Sequence, residues 1–118
     1  MRLSIANTNP KVSDLNNISS KLGEFDNLTD LELFLGGNQA LSNDTAEKFV
    51  DLLQNRENLR NFELDIGYSN VNNGIVPVFG KHLCTMGKNL NRFGIYLNGL
   101  TVSKASINEL VDLISNCN

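Results

Sequence analysis

The chain is poor in several residue types on which particular protein classes depend. Its 118 residues include no tryptophan, two cysteines, two prolines and one histidine. Two cysteines are too few for a disulfide framework, which favours a reducing compartment such as the cytoplasm. No apolar run approaches the roughly 18 residues of a membrane-spanning helix, and the N-terminus turns polar too early for a signal peptide. We therefore expect a cytoplasmic protein without a membrane span.

An excess of basic residues is also absent. The 10 Lys and Arg residues are outnumbered by 13 Asp and Glu residues, and the formal net charge is −3. Nucleic-acid-binding domains are usually basic, so we expect no direct nucleic-acid binding. The hydrophobic fraction of 41% is typical of a globular chain. Asparagine is abundant, with 19 residues, and composition alone supplies no physical reason for it.

The chain contains an internal repeat. Three segments begin at Asn27, Asn58 and Asn89, which are 31 residues apart in both cases, and a degenerate copy begins the chain with Leu3 and Ile5. In each of the three, large apolar residues occupy the same four positions, and the last three alternate with other residues. Such alternation predicts a short strand with one buried face. The apolar positions are Leu28, Leu31, Leu33 and Leu35; Leu59, Phe62, Leu64 and Ile66; and Leu90, Phe93, Ile95 and Leu97.

Helical patterns separate the predicted strands. Apolar residues recur at i, i+3, i+4 and i+7, the spacing of an amphipathic helix. Ser13, Asp44 and Ser106 are expected to cap helices, and Pro77 to begin one. The expected apolar stripes are Leu15, Ile18 and Leu22; Ala46, Phe49, Val50 and Leu53; Phe79, Leu83 and Met86; and Ile107, Leu110, Val111 and Ile114.

The repeating unit is therefore a strand followed by a helix. A strand, a helical crossover and a parallel strand coil in a right-handed sense. Neither element can bury its apolar face alone, so stacked units share one continuous core. We expect an α/β solenoid with parallel strands on its concave face and helices on its convex face. One domain spans residues 1–118, with repeats at approximately 1–26, 27–57, 58–88 and 89–118.

The segment from Leu28 to Asn38 resembles a leucine-rich repeat, and a period near 30 with a full helix resembles the ribonuclease-inhibitor-like subfamily. The asparagine that this family stacks in a ladder is matched at Asn38 and Asn70. The third unit has only Asn98, which does not align with these two positions of the repeat. Cys117 lies where that subfamily often carries a cysteine, just after the helix. The resemblance implies a βα coil and covers essentially the whole chain.

No combination of residues is typical of an active site. His82 has no serine or cysteine nucleophile at motif spacing, so we expect it on a helix surface. Cys84 aligns with core positions of other helices, and we expect both Cys84 and Cys117 to be reduced and unpaired. The pair Gly36-Gly37 lacks the rest of a phosphate-binding loop and more simply allows a tight turn. We predict a protein that is not an enzyme, with no catalytic, cofactor or metal site.

The remaining functional candidate is the concave face, formed by the residues between the buried strand positions. Glu32 and Glu63 would be neighbours of like charge close to Asp65, with the aromatic residues Phe34 and Tyr96 on either side. This arrangement favours a non-catalytic protein-interaction module that binds a basic segment of a protein partner. The alternative is an ordinary solvated face in which arginines compensate the acidic residues. The candidate protein-binding residues are Arg2, Glu32, Phe34, Asn61, Glu63, Asp65, Arg92 and Tyr96.

A second functional hypothesis concerns the ends of the repeat array. By alignment, the leucine of a next strand would fall two residues past the end, and no polar capping repeat is visible. The chain is then either a fragment of a longer repeat protein or a structural subunit of a large assembly, bound through its open ends and convex helices. A regulator similar to the GTPase activators of this fold would need a longer arc. Burial of Glu63, Asp65 and Tyr96 by a partner would favour the concave face, and burial of the helices would favour the subunit.

Overall fold

A computed structural model describes residues 1–54, 56–86, 90–100 and 102–115. Within these ranges four strands and four α-helices alternate along the chain, and a short 3-10 turn follows the second helix. The strands are β1 (Arg2–Ser4), β2 (Asp30–Phe34), β3 (Asn61–Asp65) and β4 (Arg92–Tyr96). The helices are α1 (Val12–Leu22), α2 (Asn43–Val50), α3 (Ile75–Met86) and α4 (Lys104–Ser115), with the 3-10 turn at Asp51–Leu53.

The strands form one parallel sheet in the order β1-β2-β3-β4. Leu33 pairs with Leu64, and Leu64 pairs with Ile95, so equivalent residues of successive units lie side by side. This is the register that the 31-residue spacing predicts. Helices α1, α2 and α3 each connect two neighbouring parallel strands, and each packs against the next helix. The chain is therefore an α/β structure that fits a βα repeat-type fold.

The core lies between the helices and one face of the sheet. Leu33 and Leu64 are completely buried, as are Leu15 of α1 and Phe49 of α2. The apolar strand positions were predicted to point inward, and those of β2 and β3 do so. Those of β4 are only half-buried. The core members are Leu15, Leu22, Leu31, Leu33, Leu35, Leu41, Ala46, Phe49, Val50, Leu59, Phe62, Leu64, Ile66, Val71, Ile75, Val76, Phe79, Leu83 and Leu110.

Helix α4 departs from the predicted burial. Leu110 is buried, but Ile107 is 42% exposed and Val111 is 54% exposed. The stripe is apolar as predicted, yet α4 packs on α3 alone among the described helices, so none of these helices covers its other side. The stripe residues Leu53, Met86 and Ile114 have side chains outside the described part of the structure.

The helices begin before the residues that were predicted to cap or start them. Helix α3 begins at Ile75, which places Pro77 at its third residue, still within the first turn where no backbone N–H bond is lost. Helix α4 begins after Ser103, whose hydroxyl oxygen accepts a hydrogen bond from the backbone N–H of Ser106 at 3.1 Å. Ser103 therefore caps the helix, whereas Ser106 was predicted to do so. Likewise Ser42, not Asp44, is the residue that precedes α2.

The loops after the strands share one conformation. Asn7, Gly37, Tyr68 and Gly99 all have positive φ angles, between 52° and 73°, and occupy equivalent positions in the four units. At these four positions, which form a column across the loops, residues with a side chain alternate with glycines because neighbouring loops are in contact. A Cβ atom on Gly37 would lie 1.9 Å from the Asn7 side-chain oxygen, and one on Gly99 would lie 2.3 Å from the Tyr68 ring. Gly37 therefore allows the tight turn predicted for the glycine pair.

The strain at Tyr68 leads to a stability prediction. An aromatic residue rarely adopts a positive φ, whereas asparagine does so at low cost, as Asn7 does in the same column. We expect Tyr68→Asn to raise the free energy of unfolding by about 0.5–1 kcal/mol, measured by urea denaturation. Tyr68→Val, which is β-branched, should lower it. A destabilised Tyr68→Asn variant would mean that the contact of the ring with Gly99 outweighs the backbone strain.

Buried Asn38 connects two successive loops. Its side-chain N–H groups donate to the carbonyls of Ile5 and Leu35, each at 2.9 Å. Its oxygen accepts from the backbone N–H of Asn9, also at 2.9 Å. The predicted position of Asn38 in a ladder between units therefore agrees with its hydrogen bonds.

The equivalent position in the next unit is not Asn70. Ser69 occupies it, and its hydroxyl donates to the carbonyl of Ile66 at 2.6 Å, as Asn38 does to Leu35. The predicted assignment of Asn70 is therefore wrong by one residue. The reason is that the hydrogen bond requires a side-chain donor three residues after the carbonyl. Ser69 meets this requirement, and Asn70 does not.

Cys84 of α3 is disulfide-bonded, so the expected free thiol at this position is wrong. Helices α3 and α4 pack side by side, which brings residues about one unit apart in the chain close together. The other cysteine, Cys117, lies outside the described residues. Among the helices that the structure describes, none is long and apolar enough to cross a membrane.

Candidate protein-interaction surface

The sheet has one face without helices, which we term the open face. Its side chains form three rows across the strands, in the register predicted from the repeat. All eight candidate protein-binding residues belong to these rows. The rows are Asp30, Asn61 and Arg92; Arg2, Glu32, Glu63 and Gly94; and Ser4, Phe34, Asp65 and Tyr96.

Two arginines border the acidic residues of the middle row. The Arg2 Nε atom lies 3.6 Å from a carboxylate oxygen of Glu32. The Arg92 Nη2 atom lies 2.8 Å from a carboxylate oxygen of Glu63, whose side chain is only 13% exposed. The repulsion expected between Glu32 and Glu63 is therefore offset by a guanidinium group on each side. Both arginines are largely exposed, so each ion pair contributes at most about 1 kcal/mol to stability.

The Phe34 ring is in contact with a cationic side chain of the same protein. The guanidinium carbon of Arg2 lies 4.8 Å from the centre of the Phe34 ring, within the range of a cation–π contact. Arg2 of β1 thus contacts both Glu32 and Phe34 of β2. Of the two aromatic residues predicted to border the acidic centre, Phe34 is partly covered by this arginine.

Asp65 and Tyr96 belong to the row with Ser4 and Phe34, at the carboxyl ends of the strands. Asp65 and Tyr96 are direct neighbours on β3 and β4. One carboxylate oxygen of Asp65 accepts the backbone N–H of Gly67 at 2.9 Å, and Asp65 makes no ion pair with any residue that the structure describes. Tyr96 is 43% exposed. An exposed aromatic ring therefore lies beside a half-buried carboxylate.

Gly94 lies next to this pair and has no side chain. A Cβ atom on Gly94 would lie 3.4 Å from the Glu63 Cγ atom and 3.8 Å from the Tyr96 Cε2 atom. The side chains of Glu63 and Tyr96 thus lie on either side of a residue that has no side chain of its own.

In the row at the amino ends of the strands, Asp30 accepts hydrogen bonds from neighbouring side chains. The Asn61 side-chain amide donates to one carboxylate oxygen of Asp30, and the Thr29 hydroxyl donates to the other at 3.0 Å. These hydrogen bonds, that of Asn61 first, lower the pKa of Asp30 below its ordinary value of 3.8. The hydrogen bonds favour the ionised carboxylate, and the stability that they add is lost as the pH falls through that lowered pKa.

His82 is not the surface residue that the sequence predicted. Its side chain is 2% exposed, its Nδ1–H donates to the Val78 carbonyl at 2.9 Å, and its Nε2 atom contacts the Asp51 carboxylate. The imidazole thus ties α3 to the turn that follows α2. A signal for this was available, since His82 is seven residues after Ile75 and three after Phe79, on the buried stripe of α3. In the described ranges, no group of three or more His, Cys, Asp or Glu residues is placed to hold a metal ion.

Comparison with known proteins identifies a similar fold. Neither a protein-family model nor a curated protein matches the chain. The chain is similar to a solved structure of leiomodin-1 actin-binding site 2, with a TM-score of 0.71 and 11% sequence identity. The similarity covers 95% of this chain and 62% of that one, so this chain spans less than two thirds of its length. At such low identity, the likeness shows a shared fold.

Proposed function

We propose that the chain is a non-catalytic protein-interaction module that binds a protein partner through the open face. The observation that carries this proposal is the exposed ring of Tyr96 beside the carboxylate of Asp65, at the carboxyl ends of β3 and β4. Aromatic residues are favoured anchors at interfaces, and strands present them at fixed spacing. The helices cover the other face of the sheet, which leaves the open face as its accessible surface.

We infer that the four βα units form a leucine-rich-repeat solenoid of the ribonuclease-inhibitor-like type, with the open face on its concave side. The parallel sheet, the single helix between successive strands and the repeated loop conformation support this inference. A solenoid surface is preformed, so binding costs little ordering of the chain. The structure it resembles is an actin-binding site of another protein, which favours a protein as the class of partner.

The proposal is tested with the native partner, captured by affinity purification of the full chain. Tyr96→Ala should raise the dissociation rate constant of the complex by about tenfold or more, because a buried aromatic anchor is lost. Phe25→Ala is the matched control, since Phe25 is 49% exposed but lies in the loop between α1 and β2. Surface plasmon resonance measures both. Equal kinetics for the two variants and the parent protein would contradict binding through the open face.

The second candidate function is a structural or accessory subunit of a large complex, bound through its ends and helices. Exposed Ile107 and Val111 on α4 specifically favour it, because they form an apolar stripe without a covering element among the described residues. The double variant Ile107→Glu with Val111→Glu should then abolish capture of the partner, while Tyr96→Ala leaves it unchanged. The reverse pattern would retire this candidate.

A cytoplasmic location remains a prediction from the sequence. The disulfide at Cys84 does not support it, because disulfides persist mainly in oxidising compartments. Mass spectrometry of the native protein, alkylated without reduction, should show Cys84 unalkylated, and an alkylated Cys84 would contradict the bond.

A further inference from the structure

We propose that Asp65 and Tyr96 form a slot for one cationic side chain, an arginine or a lysine, supplied by the protein partner. The proposal rests on the proposed function, since it specifies which chemistry the open face recognises. The sequence predicted an acidic cluster of Glu32, Glu63 and Asp65, and the proposal assigns recognition of the cation to one carboxylate of the three.

The distribution of charge identifies Asp65 as that carboxylate. Glu32 and Glu63 each have an arginine of the same chain within ion-pairing distance. Asp65 has none among the described residues, and its hydrogen bond to Gly67 uses one of its two oxygens. The second oxygen can accept from an incoming N–H group, and a hydrogen bond between two charged groups is about twice as strong as a neutral one. Of these three carboxylates, Asp65 alone has no ion pair among the described residues, and it lies beside Tyr96.

A comparable arrangement of a cation, an aromatic ring and a carboxylate is present elsewhere on the open face. Arg2 stacks on Phe34 and pairs with Glu32, so one guanidinium satisfies an aromatic ring and a carboxylate together. Asp65 and Tyr96 offer the same two chemical groups on directly paired strands, about 4.8 Å apart. A cation that reaches Asp65 from solvent can lie against the exposed ring of Tyr96, as Arg2 does against Phe34. No cation of the described chain occupies this second position.

Other ligand classes fit this position less well. A phosphate or carboxylate would be repelled by Asp65, and a single carboxylate is too few ligands for a divalent metal ion. A neutral apolar side chain would cover the charge of Asp65 without a compensating partner, which costs free energy. The pairing of one charge with one ring is instead the usual setting for a cation–π contact supported by an ion pair.

The direct test uses nuclear magnetic resonance on the intact, ¹⁵N-labelled chain. The probe is the blocked peptide acetyl-Gly-Arg-Gly-amide, compared with the same peptide carrying citrulline, which has nearly the same shape but no charge. We expect saturable shifts of the Asp65, Gly67 and Tyr96 amide signals with the arginine peptide, and at least tenfold weaker binding of the citrulline peptide. A lysine peptide shows which of the two cations is preferred. Equal binding of the arginine and citrulline peptides would overturn the proposal.

Variants separate recognition from folding. Asp65→Asn keeps an oxygen that can accept from Gly67, and it should weaken binding of the arginine peptide by about tenfold. Tyr96→Ala should weaken it by about threefold. Asp112→Asn, on exposed α4, removes the same charge elsewhere and should leave the affinity unchanged. If Asp112→Asn weakens binding as much as Asp65→Asn, the peptide responds to net charge only and the slot does not exist.

The native partner distinguishes failure of the slot from failure of the proposed function. A partner complex that is weakened by Tyr96→Ala but unaffected by Asp65→Asn would overturn the cation slot and leave the open face as the binding surface. A complex unaffected by either substitution would overturn both. Loss of affinity in both variants, with weaker salt dependence in Asp65→Asn, is the expected result.

Discussion

Leu64→Ala is expected to lower the free energy of unfolding by about 2–5 kcal/mol, the usual range for truncating a buried leucine. Leu64 has no exposed surface and lies in β3, between Leu33 of β2 and Ile95 of β4. Its side chain points to the helices, in the middle of the core, where the surrounding elements have little freedom to fill a cavity. The loss therefore combines the lost burial of the side chain with the cost of the empty space.

Urea denaturation followed by circular dichroism measures this change. Leu64→Met is the matched control, because it keeps most of the volume and should cost less than about 1.5 kcal/mol. A loss below about 0.5 kcal/mol in Leu64→Ala would contradict the burial of this position and hence the strand register.

The strand register was predictable because two periods constrain it together. The 31-residue repeat aligns Leu33 with Leu64 and Ile95, and alternation within each strand assigns the intervening residues to the other face. A shift by one residue would expose the whole apolar set, so the pattern leaves one register. For this reason the rows of the open face, including the pair of Asp65 and Tyr96, follow from the sequence.

The sequence did not decide between the two alternatives for the charge distribution within those rows. The sequence places Arg92 beside Asn61, but it does not say that the arginine reaches diagonally to Glu63 at 2.8 Å. Long side chains reach several neighbours on a sheet, and the choice among them depends on local packing. The sequence left open an acidic centre and a solvated face compensated by arginines. The structure shows Glu32 and Glu63 paired with arginines, as in the second alternative, and Asp65 without an ion pair among the described residues.

The abundance of asparagine has a partial structural explanation that composition could not supply. Asn43 and Asn72 exchange two hydrogen bonds between successive loops, at 2.6 Å and 3.0 Å. Asn73 accepts from the backbone N–H of Ser103 at 2.9 Å. An asparagine side chain both donates and accepts, so it can connect two neighbouring loops whose backbone groups would otherwise lack partners. These pairs are about one unit apart in the chain, which only the folded structure makes visible.

Asn38→Ala is expected to lower the free energy of unfolding by about 2–5 kcal/mol, because it leaves two backbone groups without the partner that Asn38 supplies. Asn38 is completely buried, and its side chain binds the carbonyls of Ile5 and Leu35 and the N–H of Asn9. The Ile5 carbonyl keeps its hydrogen bonds from Thr8, but the Leu35 carbonyl and the Asn9 N–H lose theirs, and an unpaired buried polar group costs about 1–3 kcal/mol. The substitution should also loosen the loop after β1, since two of the three bonds join that loop to the next.

Ser69→Ala provides the matched control at the equivalent position. Ser69 makes one side-chain hydrogen bond, to Ile66 within its own loop, so its removal should cost about 1 kcal/mol. Urea denaturation gives both values, and hydrogen exchange should show faster exchange of the Asn9 amide in Asn38→Ala but not in Ser69→Ala. Equal losses in the two variants would mean that the bonds between loops add nothing to the bond within a loop. A larger loss in Asn38→Ala, with exposure of the Asn9 amide, would show that this buried asparagine holds the first unit onto the second.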